Sequence, residues 1–209
     1  MIDLYTWATP NGRKVSILLE ELALDYKVHA VNIGAGEQKT PEFLKISPNG
    51  KIPAIVEQET RLALFESGAI MLYLAEKHGR FIPSDPLQKA RVVEWLMWQM
   101  GGLGPMAGQG HHYLHFNPGN SKYAEERLLT EITRLYRVLN ERLEGRDYIC
   151  DEYSIADMAC WPWVSRYAWH KISLGDFPNV KAWYLRLAAR DAVQKGYDVP
   201  KKVGKIPLD

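Results

Sequence analysis

Thr9-Pro10-Asn11-Gly12 stands between a short apolar segment, Ile2 to Thr6, and a helical pattern carrying Val15, Leu18, Leu19 and Leu22. A hydroxyl, an amide and the free N–H groups of a first helical turn therefore converge on one small volume. Such donors suit a negative atom, a thiolate among them. Lowering a thiol of pKa about 8.5 by two units takes about 2.7 kcal/mol. Each hydrogen bond to a charged acceptor supplies about 1.5–3 kcal/mol, so no cationic side chain is required. The same residues also fit a plain helix cap, and both readings stand at this point.

Glu66-Ser67-Gly68 lies where a strand pattern hands over to a helical one. The Ser67 hydroxyl and the first-turn N–H groups favour an anion there, a carboxylate above all, while Glu66 could pair with an ammonium. An ordinary helix start has the same sequence. Ile52-Pro53 heads an apolar strand, an awkward place for a residue without an N–H. A cis bond would turn the chain and leave the preceding backbone groups open to an extended ligand; a trans proline at a strand start fits equally. His111 and His115 have the spacing that sets two imidazoles on one helical face, but no Glu lies between them. A polar stretch after the glycine-rich residues 101–110 is the plainer account, and no metal is expected. Gly34-Ala35-Gly36 lacks the third glycine and acidic partner of a dinucleotide loop. The two cysteines, Cys150 and Cys160, form no C-x-x-C pair, so neither a disulfide framework nor a structural zinc site is indicated.

What must position these groups is a chain of 209 residues with 46% hydrophobic residues and a net charge of +1, ordinary globular composition. Near-zero charge argues against bulk nucleic-acid binding. The one basic cluster, Lys195 to Lys205, reads as a solvated tail. With no apolar run of about 18 residues and no basic, apolar leader at its start, the chain is expected in the cytoplasm without membrane contact. Strands are expected at residues 2–6, 28–31, 52–56 and 62–64, with helices after the first strand, at 41–44 and at 66–77. That order, βαβ–α–ββα, makes a small α/β layer over residues 1–82. From Asp85 onward every signal is helical: Asp85-Pro86-Leu87-Gln88 starts one helix, 123–143 is a long amphipathic stretch, and Ser154-Ile155-Ala156-Asp157 is a capping box before an apolar run to Trp169. A last clear helix runs from Pro178 to about Arg190, and residues 85–209 read as an all-helical second domain.

Together these stretches resemble a cytosolic glutathione transferase over almost the whole chain. More narrowly, Thr9-Pro10-Asn11-Gly12, the run from Pro41 to Asn49, the run from Trp95 to Met106 and Cys160-Trp161-Pro162-Trp163 resemble the bacterial Nu class. The resemblance implies a thioredoxin-like α/β N-terminal domain followed by an all-α domain. It also implies a homodimeric, glutathione-dependent disulfide-bond oxidoreductase that holds two glutathiones (GSH) or one glutathione disulfide (GSSG) per site and uses no protein cysteine. It places Thr9 and Asn11 at the sulfur as the catalytic pair. Gln38 falls at the second ligand or a glycine carboxylate, Ile52 and Pro53 at the cysteinyl backbone, and Glu66 and Ser67 at the γ-glutamyl end. Arg127 reaches a glutathione carboxylate from the helical half, with Gln99 as a further contact. Without the resemblance, Arg127 would read as a surface ion pair. Tyr5 lies too deep in the first strand to take the sulfur, while Trp7 and His111 either line the second site or pack. Asp157 is structural, returning a hydrogen bond to the Ser154 backbone. Two other functions share this architecture: conjugation of the bound thiolate to a carbon electrophile, and docking without catalysis.

Overall fold

Alternation sets the first strand. In β1 (Ile2–Thr6) Ile2, Leu4 and Thr6 are buried and the residues between are half-buried, the period of two that a strand requires. A computed structural model of the protein describes residues 1–208, and β1 lies inside a four-stranded sheet of order β2-β1-β3-β4. Helix α1 (Pro10–Glu21) carries the chain across to β2 (Tyr26–Ala30), which pairs with β1 in parallel, Ile2 opposite Tyr26 and Leu4 opposite Val28. A crossover of this length is what a parallel pair needs. After the short α2 (Pro41–Leu44), β3 (Ala54–Glu57) and β4 (Ala63–Phe65) add as antiparallel strands, with Leu4 opposite Ile55 and Ile55 opposite Leu64. Helix α3 (Ser67–His78) follows, and it packs beside α1. This is the thioredoxin-like arrangement.

Glu57 ties the end of β3 to α3. Its buried carboxylate accepts from Thr60 Oγ1 at 2.7 Å, from the Tyr73 hydroxyl at 2.9 Å and from the Lys77 ammonium. The Lys77 hydrogen bond foremost, helped by the Thr60 hydroxyl, pulls its pKa down to about 2.

The C-terminal segment departs from the sequence reading. Ala189–Ile206 does not belong with the helical domain; it forms one compact unit with Met1–Ile82. Helix α9 (Asp191–Tyr197) lies against α1 so closely that a Cβ on Gly196 would sit 2.6 Å from Ile17 Cα. Ser16 Oγ donates to the Gly196 carbonyl at 2.6 Å and Arg13 Nε to the Tyr197 carbonyl at 3.0 Å. The Arg13 guanidinium also stacks 3.5 Å from the Tyr197 ring centroid. Arg190 adds a two-pronged pair to Glu21 at 2.6 and 2.8 Å. Two features hid this contact from the sequence: the helix has only seven residues, and Arg13 and Ser16 look like the polar face of α1. Lys195, Lys201, Lys202 and Lys205 themselves are exposed, as expected of a tail.

The second unit, Pro83–Ala188 with Pro207 and Leu208, holds only helices and turns among the described residues. Asp85 caps α4 (Pro86–Trp98), accepting from the N–H groups of Leu87 and Gln88 at 3.1 and 2.9 Å. The glycine-rich stretch continues that helix through a wide π-type turn (Gln99–Leu103), α5 (Gly104–Gly110) and a second π turn (His111–Phe116). Helix α6 (Lys122–Arg142) buries Leu128, Ile132, Leu135, Tyr136 and Leu139, the stripe its sequence announces. Helix α7 (Ile155–Val164) stops earlier than the apolar run to Trp169 suggested. Ser165 Oγ donates to the Pro162 carbonyl at 2.7 Å and the chain tightens into a 3₁₀ turn at Tyr167–His170. Helix α8 (Pro178–Ala188) completes the unit. No helix among the described residues is long and apolar enough to cross a membrane.

Candidate active site

Thr9 ends the turn out of β1 in extended geometry (φ −118°, ψ 162°) and caps α1, its Oγ1 accepting the Gly12 N–H at 3.2 Å. The Thr9 N–H in turn donates to the Trp7 carbonyl at 2.7 Å. Only glycine fits at position 12, because a Cβ there would lie 2.3 Å from Trp7 O and 2.4 Å from Thr6 Oγ1. The two sequence readings of this turn are compatible. A hydroxyl has two acceptor lone pairs and one donor hydrogen, so the cap uses an oxygen lone pair and leaves the O–H free. That hydrogen has no acceptor among the described residues. Asn11 follows in the same first turn, half-buried.

Ile52-Pro53 is cis. Pro53 is buried, and Ile52 is half-buried against the cluster of Val31, Phe43 and Ala54. The β3 ladder begins only at Ala54, so the Ile52 backbone lies outside it, open to a peptide-like ligand. Gln38 sits in a 3₁₀ turn (Glu37–Lys39), and its carbonyl packs against Gly50 in the loop leading to Ile52. Its side-chain Oε1 is enclosed with no hydrogen-bond partner among the described residues. A buried acceptor left open in this way asks for a donor. A half-turn of the amide would present NH₂ to a carboxylate instead.

Glu66 occupies the position before α3 with φ +69° and ψ 110°, a backbone that costs a non-glycine residue about 1–3 kcal/mol and that concentrates at functional sites. Its Oε1 accepts from Asn49 Nδ2 at 3.5 Å, and it is exposed. Ser67 is buried, and its Oγ accepts from the Lys14 ammonium at 3.3 Å. Lys14, only 1% exposed, is the residue that the sequence reading missed. Only the fold reveals it: α1 is buried without interruption from Gly12 to Leu19, and an enclosed ammonium requires an oxygen partner. Lys14 and the N-terminus of α3 together make the Ser67 end of this cluster positive. Thr9, Asn11, Gln38, Ile52, Pro53, Glu66 and Ser67 all belong to the first unit.

Arg127 and Gln99 belong to the second unit. Arg127 lines an open groove of about 500 Å³ with Met106, Tyr123, Thr130 and Glu131. The surface ion pair that its sequence context suggested does not form. Glu126 pairs with Lys122 at 3.7 Å and Glu131 with Arg134 at 2.7 Å, and the Arg127 guanidinium has no ion pair among the described residues. Gln99 is wholly buried, its Nε2 and Trp163 Nε1 both facing Gly104, and presents no surface to a ligand. His111 packs rather than lines: it stacks with Trp163 and His170, its Nε2 2.9 Å from that of His170. Burial pulls its pKa down to about 4. His115 stacks face to face on Trp169, which His111 meets edge-on at 5.0 Å, so both imidazoles of the i,i+4 pair pack against the same indole.

The family model described as the glutathione S-transferase N-terminal domain matches residues 1–76, and that of the C-terminal domain matches residues 103–191. Disulfide-bond oxidoreductase YfcG of Escherichia coli is 52% identical over 198 residues, 92% of each chain. YghU of the same organism, also named a disulfide-bond oxidoreductase, is 35% identical over 98% of this chain and 77% of its own. Among solved structures, a glutathione transferase of Pseudomonas putida, with one glutathione disulfide bound per subunit, superposes with a TM-score of 0.90. Its identity is 42%, over 95% of this chain and 91% of that one. A glutathione transferase of Burkholderia graminis, with two glutathione molecules per subunit, gives 0.91 at 43% identity over 96% and 89%. With a thioredoxin-like sheet, a cis proline ahead of β3 and an anion-seeking start to α3 followed by an all-helical unit, this chain belongs to the glutathione S-transferase family.

Proposed function

We propose that this protein is a glutathione-dependent disulfide-bond reductase in which the ligand supplies every reacting sulfur. The observation that carries the reading is the first turn of α1, which offers an uncommitted Thr9 hydroxyl where a thiolate would lie and contains no cysteine. Both cysteines sit in the second unit and are buried, and burial, reinforced by the Asp157 carboxylate, pushes the Cys150 thiol up to about 11. Cys150 thus lacks the low pKa of a reactive thiol, and burial denies both cysteines the access one needs. Thr9 and Asn11 hold glutathione as the thiolate, Ile52 and Pro53 meet its cysteinyl backbone, Glu66 its ammonium, and Ser67 with Lys14 its γ-glutamyl carboxylate. The thiolate attacks one sulfur of a substrate disulfide, forming a mixed disulfide and releasing the other half as a thiolate. A second glutathione thiolate attacks the glutathione sulfur of that intermediate. Glutathione disulfide forms, the second substrate thiol leaves, and two protons from the two glutathiones end on the released thiols. The relatives named for disulfide chemistry, and solved neighbours holding two glutathiones or one disulfide, support this reading. It includes the Nu class, a homodimer and a cytoplasmic location.

A coupled reductase assay set beside an aryl-halide conjugation assay tests the proposal. Reduction with glutathione as sole thiol sustains it; conjugation without reduction assigns the same thiolate to carbon electrophiles. Replacing Cys150 and Cys160 together by serine is expected to leave reduction intact. Stability should fall slightly, since Cys160 is wholly enclosed in α7 and a buried hydroxyl needs a partner. A double variant that folds normally and loses reductase activity would overturn the cysteine-free mechanism.

The second expectation concerns charge. Each glutathione carries two carboxylates and one ammonium, so a site for two of them gathers four carboxylates. Arg127, without an ion pair of its own, offers a planar fork to one of them. Arg127→Ala is expected to weaken binding of glutathione disulfide by about 1.5–3 kcal/mol, with Arg127→Lys recovering part. Titration calorimetry checks this, and equal affinities would remove Arg127 from the site.

A further inference from the structure

One charged group beside the sulfur turn has no role in the scheme above. Lys201, in the segment after α9, holds its ammonium 4.4 Å from the centroid of the Trp7 indole. We propose that Lys201 is a specificity residue for the disulfide substrate, binding a carboxylate on the leaving half of the disulfide; this rests on the reductase reading.

The placement of Lys201 is fixed from both sides. Trp7 is held by the turn itself, its carbonyl taking the Thr9 N–H at 2.7 Å and pressing on the Gly12 backbone. Lys201 follows Tyr197 by only four residues, and Tyr197 is pinned to α1 by its carbonyl and its ring. Four residues span at most about 14 Å, so the lysine cannot wander far from α1. The α9 contact, which no sequence feature announced, thus delivers a cation to the residue two before Thr9.

The neighbouring lysine sharpens the case. Lys202 has its own counter-ion, Asp198 at 3.6 Å, whereas Lys201 pairs with no carboxylate among the described residues. The indole face orients an ammonium without neutralising it, so N–H donors remain for an anion. In the scheme above Lys14 and Ser67 serve the γ-glutamyl end, and Glu66 cannot serve any carboxylate. A disulfide whose leaving half carries a carboxylate therefore meets a cation on the Trp7 side that a neutral disulfide does not use.

Two small disulfides separate the cases: 2-hydroxyethyl disulfide, which is neutral, and 3,3′-dithiodipropionate, which carries a carboxylate on each half. In Lys201→Gln, kcat/KM for the dicarboxylate is expected to fall about three- to tenfold at low ionic strength, mostly through KM. The neutral disulfide should be unaffected. Lys201→Arg should restore the dicarboxylate, and about 0.5 M salt should erase the difference by shortening the screening length. Equal losses on both substrates, or none on either, would overturn the inference. If the wild-type chain reduces neither disulfide, the reductase reading fails on its own terms. The inference is then decided by calorimetry with glutathione disulfide: weaker binding to Lys201→Gln sustains a carboxylate contact, and unchanged affinity ends it.

Discussion

Thr9→Ala is expected to slow glutathione-dependent disulfide reduction by about ten- to a thousandfold, the range for losing one donor to developing or resting negative charge. The cap geometry sets the expectation. Thr9 Oγ1 receives the Gly12 N–H at 3.2 Å, which polarises the hydroxyl and strengthens the bond its hydrogen gives to a thiolate. Removing it raises the thiol pKa of bound glutathione, so less thiolate is present near neutral pH. The acid limb of the pH–rate profile should therefore move to higher pH, and part of the lost rate should return as pH rises. Asn11→Ala should shift the profile the same way. The alanine at 9 also removes a helix cap worth about 1 kcal/mol, so the comparison needs Thr9→Ser, which keeps both the cap and the donor and should keep most of the rate. Unchanged rates and profiles in both alanine variants would place the sulfur elsewhere.

The residues at this turn were legible because their chemistry is local. Hydroxyl, proline, amide and glycine in one turn specify a capped helix start whose donors face outward, whatever the rest of the chain does. Ser67 was legible for the same reason, since a strand running into a helix fixes where the first-turn N–H groups point. The succession of strands and helices along the first 82 residues and the all-helical character after residue 85 followed from periods of two and of 3.6. Lys14 and α9 were not legible, and the reason is tertiary. A lysine inside α1 looks solvated until the helix is known to be buried on every side from Gly12 to Leu19. The seven residues of α9 carry too little periodicity to announce a helix. Only the approach of Gly196 to Ile17 shows that they form part of the first unit. His111 is a choice that the sequence left open between lining a site and packing, and its ring stacks in the interior of the helical unit. The π-type turns on either side of α5 were invisible too, because a glycine-rich run states where a helix is weak and not how it widens.

Asp157→Ala is expected to destabilise the helical unit by about 3–5 kcal/mol, placing it among the most damaging single changes available in this chain. Its carboxylate is fully buried and accepts four hydrogen bonds, at Oδ1 from the Ile149 N–H (2.9 Å) and Trp183 Nε1 (2.8 Å), at Oδ2 from the Ser154 N–H (3.1 Å) and Ser154 Oγ (3.2 Å). One side chain thereby starts α7, fixes the loop before it and anchors α8 through Trp183. The capping box read from the sequence accounts for the Ser154 bonds alone; the links to Ile149 and Trp183 are tertiary. Alanine leaves all four donors enclosed without an acceptor. Asp157→Asn keeps the shape but turns an NH₂ toward one pair of donors, so an intermediate loss is expected. Burial pushes the Asp157 carboxyl up to about 6 against the pull of its hydrogen bonds, while an unfolded aspartate ionises near 3.9. Between about pH 4 and 6 the unfolded chain therefore sheds a proton that the folded chain keeps, and this residue's contribution to stability falls as pH rises through that window. The deficit of Asp157→Asn relative to wild type should accordingly be larger near pH 4.5 than at pH 7. Denaturant unfolding at the two pH values, followed by helical circular dichroism, is the measurement. A deficit that grows toward pH 7 would mean that the carboxylate is held ionised by its four donors throughout.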